Sequence, residues 1–232
     1  MIKKPLNLSL VAALDWRYLL ASLMLFVGQL SMSAQTTLNV TDYGAKGDAV
    51  QFYANTVSNS AVITTETQFS TAALGKAIEV FGCGTNTVGT NCQDMVTTIA
   101  NVVSGTNIYL NQTCQNTLNG TFATVGTDNT SNFQACIDAA SGTNTIINVP
   151  AGKYLLLPRS QAGLYGYFSL LFSRGGVHLI GAGMTNTVLL GQGAWVMHGA
   201  DAWRGFLFEI HPPVINDYPF SVENLTLDGG VE

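Results

Sequence analysis

From Thr145 onward the chain is a succession of short apolar runs: "TIINV" (145–149), "KYLLL" (153–157), "YFSLLF" (167–172), "GVHLI" (176–180), "TVLLG" (187–191), "FLFEI" (206–210) and "VENLTL" (222–227). Each has the length of a strand, and Gly, Pro or Asn separates them with no helical pattern between. Strands of this kind fold as a sandwich or stack as a solenoid. Two features favour the solenoid. "GVHLIGAG" and "SVENLTLDGG" share one alternation of Val, Leu and Ile ending in Gly, offset by about two turns of a ~20–25-residue coil. A stack of parallel strands also needs a cover on its first open rung, and the segment before Thr145 supplies one. Phe133, Cys136, Ile137 and Ala140 recur at helical spacing, which predicts a short amphipathic helix over 127–140. Thr127, Asp128, Asn129 and Thr130 are its N-cap candidates, and Gly142 can end it.

Composition agrees with a β-rich extracellular chain. Charged residues make up only 10% of the 232, against 47% hydrophobic, and Thr and Asn fill the positions that Lys and Glu take in helical proteins. The net charge is -5, and no Lys/Arg cluster survives beyond the first residues, so nucleic acid is not expected as a partner. Residues 1–34 read as a secretory signal: Lys3 and Lys4, the apolar run "YLLASLMLFVGQL" (18–30), then the small residues "SMSA" (31–34). The apolar run is short for a ~20-residue membrane span, and Asp15 beside Arg17 splits the greasy region. Cleavage near Ala34 leaves 6 basic and 13 acidic residues, net -7, and a chain that is secreted, periplasmic or at the cell surface, with no membrane segment.

Four cysteines remain, Cys83, Cys92, Cys114 and Cys136. In an exported protein they allow two bridges and three connectivities. Cys83 and Cys92 flank the turn-rich "GTNTVGTN", which makes a local bridge the first expectation. The spacing is not that of a zinc site, and Cys136 reads as a small buried residue on the helix.

Five ordered segments, "NVTDYGAKGDAV" (39–50), "TDNTSNFQACIDAA" (127–140), "INVPAGKYLL" (147–156), "GVHLIGAGMTNTVLLG" (176–191) and "VENLTLDGG" (222–230), resemble the start of the pectate-lyase-3 family, the rhamnogalacturonase/epimerase-like pectate lyase domains. The resemblance covers 39–50 and 126–232. It implies an all-β, right-handed parallel β-helix of the pectin-lyase fold, with its N-terminal coils, a short capping α-helix and a small all-β insert. In the family pattern "GAKGD" runs within a few residues into the capping helix. Here Asp48 and Asp128 stand as the two sides of that joint, with 51–125 between them. The insert has its own runs: "AVITT" (61–65), "KAIEVF" (76–81), "DMVTTIANV" (94–102), "NIYL" (107–110) and "GTFATV" (120–125), hence about five strands. The domain reading is therefore signal peptide 1–34, β-helix 35–50 and 126–232, and inserted β domain 51–125. The chain ends mid-motif in "LDGGVE", so the expectation is the N-terminal part of a longer protein.

Chemistry is harder to place. A hydrolase of the related type needs a cluster of Asp residues on one face, one of them an acid, and no such motif is present. A lyase needs several carboxylates around Ca2+ beside an Arg or Lys; Asp201, Asp217 and Asp228 are too dispersed to establish one, so Ca2+ enters as a cofactor only if the chemistry is lyase-like. No catalytic residue and no metal ligand is assigned. The richest local stretch is "GAWVMHGADAWRGFLFEIHPP" (193–213), where Trp195, His198, Asp201, Trp203, Arg204 and His211 lie close in sequence. Indole faces stack on sugars, Arg pairs uronates and Asp bonds hydroxyls; the first five are the candidate substrate-binding residues. The same stretch also reads as a long turn with packed Trp side chains. His178 reads as an outward or hydrogen-bonded strand residue. Asp42, Gly44, Gly47 and Asp48 read as turn and joint residues, and "GAKGD" lacks the spacing of a phosphate loop.

The functional expectation is part of a secreted, polysaccharide-acting β-helix protein, a pectate lyase or rhamnogalacturonase-like hydrolase, inactive as this chain alone. The rival is a non-catalytic glycan-binding, tailspike- or adhesin-like structural β-helix, which admits a homo-trimer. A net charge of -7 sits awkwardly with an acidic polymer unless Ca2+ or a local Arg compensates, and it leaves a neutral glycan open.

Overall fold

The computed structural model describes residues 35–84, 94–140, 144–157, 159–160, 167–173, 175–191, 205–210 and 220–229. Strand β1 (Thr36–Asn39) leads into a single 3-10 turn, Val40–Tyr43, whose first residues are held by the Asn39 side chain accepting from the Thr41 N–H at 3.0 Å. Gly44 ends that turn at φ +90°, a conformation that only Gly adopts cheaply.

Six strands follow: β2 (Val50–Thr56), β3 (Val62–Thr65), β4 (Ala77–Val80), β5 (Met95–Ser104), β6 (Asn107–Leu110) and β7 (Leu118–Gly126). They pair antiparallel in the order β2-β3-β6-β5-β4-β7 and close on themselves. Alternation explains the inside. Phe52 and Ala54 of β2, Ile63 of β3, Ile78 and Val80 of β4, Ile99 of β5, Ile108 of β6 and Ala123 and Val125 of β7 fill one apolar core. Two inward hydroxyls are satisfied. Thr56 donates to the Asn116 carbonyl at 2.7 Å and Thr65 to the Tyr53 carbonyl at 2.8 Å. A disulfide joins Cys83, just past β4, to Cys114, between β6 and β7.

Beyond the barrel come helix α1 (Thr130–Ala139) and strands β8 (Thr145–Val149), β9 (Gly152–Leu156), β10 (Arg159–Ser160), β11 (Tyr167–Phe172), β12 (Val177–Gly181), β13 (Thr187–Gly191), β14 (Gly205–Ile210), β15 (Ser221–Glu223) and β16 (Thr226–Asp228). They form three small open sheets: β1-β8-β12-β15, β9-β13-β16 and β10-β11-β14. All their pairings are parallel except β10 with β11. Ile147, Tyr154, Leu156, Leu170, Phe172, Leu179 and Leu189 from these sheets share a core with Phe133, Cys136 and Ile137 of α1. The helix lies within the 127–140 window that its apolar spacing predicts. A smaller cluster of Ala49, Ala77, Leu155 and Leu190 packs β4 of the barrel against β9 and β13. Barrel and sheets belong to one compact unit, Gln35–Glu232.

The expected all-β, right-handed parallel β-helix of the pectin-lyase fold is corrected by this topology. The largest sheet is a closed six-stranded antiparallel barrel, the other sheets are small and open, and the described residues define no right-handed solenoid. Strand β2 makes the difference. Its sequence "VQFYANT" is absent from the five runs expected between 51 and 125, and it pairs with both β3 and β7, which turns an open meander into a ring without edges. The bridge between Cys83 and Cys114 likewise replaces the expected Cys83–Cys92 pair; Cys92 lies outside the described residues.

Candidate functional site

The chain enters the barrel through Gly47–Ala49 and leaves it through Gly126–Asp128, and both passages lie on β9. Asp48 bridges to Lys153 and Asp128 to Leu155, each in parallel sense. Buried Asn129 ties the two passages together. Its side-chain oxygen accepts the Lys46 N–H at 2.7 Å, and its amide donates to the carbonyls of Lys46 and Thr127, each at 2.9 Å. The backbones come close enough to exclude side chains: a Cβ on Gly47 would stand 2.7 Å from the Gly152 Cα.

Asp48 is the centre of the joint. One carboxylate oxygen accepts the Thr127 N–H at 2.9 Å and the other the Thr127 hydroxyl at 2.8 Å, while the Lys76 ammonium lies 3.1 Å away. Burial pushes this carboxyl up, but the Thr127 N–H, the Thr127 hydroxyl and Lys76 together outweigh it and hold Asp48 below the usual carboxylate range. Asp128 is also engaged, with one oxygen accepting the Thr130 N–H at 2.9 Å and the Thr130 hydroxyl at 2.6 Å, at the start of α1.

Over this joint opens a cleft of about 590 Å³, lined by Lys46, Asp48, Lys76, Thr97, Thr98 and Asp128 among others. Its volume is in the range of small-ligand sites. Beside the joint a second polar chain runs from Lys153, whose ammonium lies 3.1 Å from Gln51 Oε1, to Asp228, which accepts from Gln51 Nε2 at 3.3 Å. The sequence already pointed to Asp48 as a joint residue. It gave no sign of Lys46, Lys76, Thr97 or Thr98, because barrel closure alone brings β4 and β5 over residues 46–48.

The expected substrate-binding residues Trp195, His198, Asp201, Trp203 and Arg204, with His211 and Asp217, lie outside the described residues. His178 sits half-buried on β12, its Nδ1 2.8 Å from Ser221 Oγ, and the Ser221 hydroxyl donates to Glu223 at 2.7 Å. Ser221 spends its proton on Glu223, so it receives one from His178. Serine, not histidine, is the middle member, and that order does not activate a nucleophile. Cys136 is fully buried and free; burial and nearby Asp42 push its thiol up to about 12, so it is no reactive thiolate. Among the described residues no three His, Cys, Asp or Glu side chains stand where they could hold a metal ion, and the Ca2+ that lyase chemistry implies finds no fitting ligand set there. No helix among them is long and apolar enough to cross a membrane.

No family model and no curated protein sequence matches the chain. Among solved structures it is similar to the tailspike gp61 of Pseudomonas phage phi297, at 12% identity and a TM-score of 0.27, over 82% of this chain and 31% of that one. It is also similar to the Agl-KA catalytic domain, at 12% identity and a TM-score of 0.22, over 64% and 40% of the two chains. A third similarity is to the catalytic unit of a GH87 alpha-1,3-glucanase from Streptomyces thermodiastaticus, at 15% identity and a TM-score of 0.22, over 81% and 39%. The chain thus spans about a third to two-fifths of the length of these structures, and likenesses this distant define no function. The resemblance to the pectate-lyase-3 family is corrected by the closed barrel and by the absence of a matching family model. The reading as part of a polysaccharide-acting or tailspike-like β-helix falls with it.

Proposed function

We propose that this chain is a glycan-binding part of an exported protein and that it holds its ligand in the cleft over the Asp48–Thr127 joint. The observation that carries the reading is the cleft itself, about 590 Å³ lined by Lys46, Lys76, Thr98 and Asp128 together with Asp48 and Thr127. Such a mixture of donors and acceptors suits a polyhydroxylated ligand. A net charge of -5 disfavours nucleic acid. Hydrolysis needs one carboxyl that keeps its proton beside a second that does not. Asp48 is held ionised with both oxygens committed to Thr127, so Asp48 serves the cleft as a structural anion and not as an acid catalyst.

Electrophoresis of the chain through gels containing laminarin, dextran or polygalacturonate tests this. Retardation by one of the polymers is expected, weakened about tenfold by Lys46→Ala, with no new reducing ends. Free migration in all three gels, or turnover of any polymer, contradicts the reading.

A further inference from the structure

We infer that the cleft selects an uncharged glycan, and that Asp128 makes the selection by accepting from sugar hydroxyls through its Oδ2 oxygen. This rests on the glycan reading above and names the charge class of the ligand. The four charged side chains of the cleft are engaged unequally. Lys76 and Asp48 neutralise one another at 3.1 Å, and both Asp48 oxygens are also taken by Thr127. Lys46 and Asp128 line the same cleft, and among the described residues neither has an ion-pair partner. Asp128 is half engaged. Its Oδ1 accepts the Thr130 N–H at 2.9 Å and the Thr130 hydroxyl at 2.6 Å, while its Oδ2 accepts from no described residue.

Both groups are placed before a ligand arrives. Asn129, the residue after Asp128, is buried, and its side chain binds the Lys46 N–H at 2.7 Å and the Lys46 carbonyl at 2.9 Å. The Asn129 N–H in turn donates to the Leu155 carbonyl at 2.9 Å, and Oδ1 pins the Asp128 carboxylate to the first turn of α1. A carboxylate fixed by one oxygen presents the other with little further loss of freedom on binding. Leu74, Val96 and Leu157 add apolar lining, which suits the C–H face of a sugar ring.

A ligand in the cleft thus meets one unpaired anion and one unpaired cation, and the charges of Lys46, Lys76, Asp48 and Asp128 sum to zero. A sugar hydroxyl both donates and accepts, so adjacent hydroxyls can donate to Asp128 Oδ2 and accept from Lys46. A carboxylate or phosphate group only accepts. It can satisfy Lys46, but it leaves Asp128 Oδ2 without a donor beside a like charge, and that repulsion discriminates against it. A cationic ligand meets the converse obstacle at Lys46. The net charge of -5 adds to the bias against a polyanion.

The test compares the full chain with its Asp128→Asn and Lys46→Ala variants in gels containing laminarin, dextran or polygalacturonate, with melting curves alongside. Asn keeps the Oδ1 acceptor that Thr130 needs and puts a donor in place of Oδ2, so it separates recognition from helix capping. Expected for the unmodified chain is retardation by laminarin or dextran and not by polygalacturonate. Asp128→Asn should weaken retardation by the neutral polymer about tenfold, at an unchanged melting temperature, and bring on retardation by polygalacturonate. If Asp128→Asn does not fold or melts early, Asp128→Ser, which also caps a helix, takes its place: loss of the neutral polymer in a folded Asp128→Ser supports the inference and retention overturns it. Undiminished retardation of Asp128→Asn by the neutral polymer, while Lys46→Ala loses it, overturns the role of Asp128 and leaves the cleft reading standing. Weaker binding of the neutral polymer with no gain on polygalacturonate overturns the charge selection, as does retardation of the unmodified chain by polygalacturonate alone. Free migration of the unmodified chain in every gel overturns both readings.

Discussion

Asp48 shows how one side chain sets the local pH response. Its folded carboxyl titrates below the ordinary carboxylate range because Thr127 and Lys76 outweigh the effect of burial. A depressed carboxyl contributes stability that is fully present above its unfolded pKa, near ~4, and is lost as pH falls through the lower folded value. Asp94 has the opposite sign. Burial raises it against the Gly82 N–H that it accepts, so its contribution is present in acid and lost as pH rises through the raised value. Asp48→Ala leaves the Thr127 N–H and hydroxyl without their acceptor and should cost about 1–3 kcal/mol at neutral pH. Denaturant titrations near pH 7 and near pH 3 check it: the deficit should shrink in acid, and a deficit equal at both would refute the account of this carboxylate.

At the scale of elements the disulfide and the strand that closes the ring matter most. Cys83–Cys114 encloses a stretch 31 residues long and ties β4 to the β6–β7 connection. Replacing both cysteines with Ala should cost about 3–4 kcal/mol by the loop-closure relation, read as a lower denaturation midpoint, with a steeper slope as the unbridged unfolded chain expands. No change in midpoint would mean that the bridge constrains little. Elements were unevenly legible in the sequence. The apolar spacing of Phe133, Cys136 and Ile137 pointed to α1, and the alternation in "AVITT", "KAIEVF" and "NIYL" marked β3, β4 and β6. "VQFYANT" is not legible as a strand, because Gln51, Asn55 and Thr56 dilute its apolar signal and it directly follows a turn-rich opening. The disulfide partner was not legible either: Cys114 meets Cys83 only when β4 and the β6–β7 connection are brought together by the closed sheet.

For the whole molecule, short Gly-bounded runs specify strands but not how sheets close. The same alternation serves an open parallel stack and a closed antiparallel ring; the choice is made by long-range partners, here β7 pairing with both β2 and β4. The candidate site depends on that choice, since Lys76, Thr97 and Thr98 reach residues 46–48 only across the barrel's rim. The central claim is that a glycan occupies this cleft. Amide hydrogen exchange of the full chain, with and without the polymer that retards it, tests that claim most directly. The account predicts added protection at Lys46–Asp48, Lys76–Ala77 and Thr97–Thr98. Protection confined to residues 193–213, or none anywhere, would contradict it.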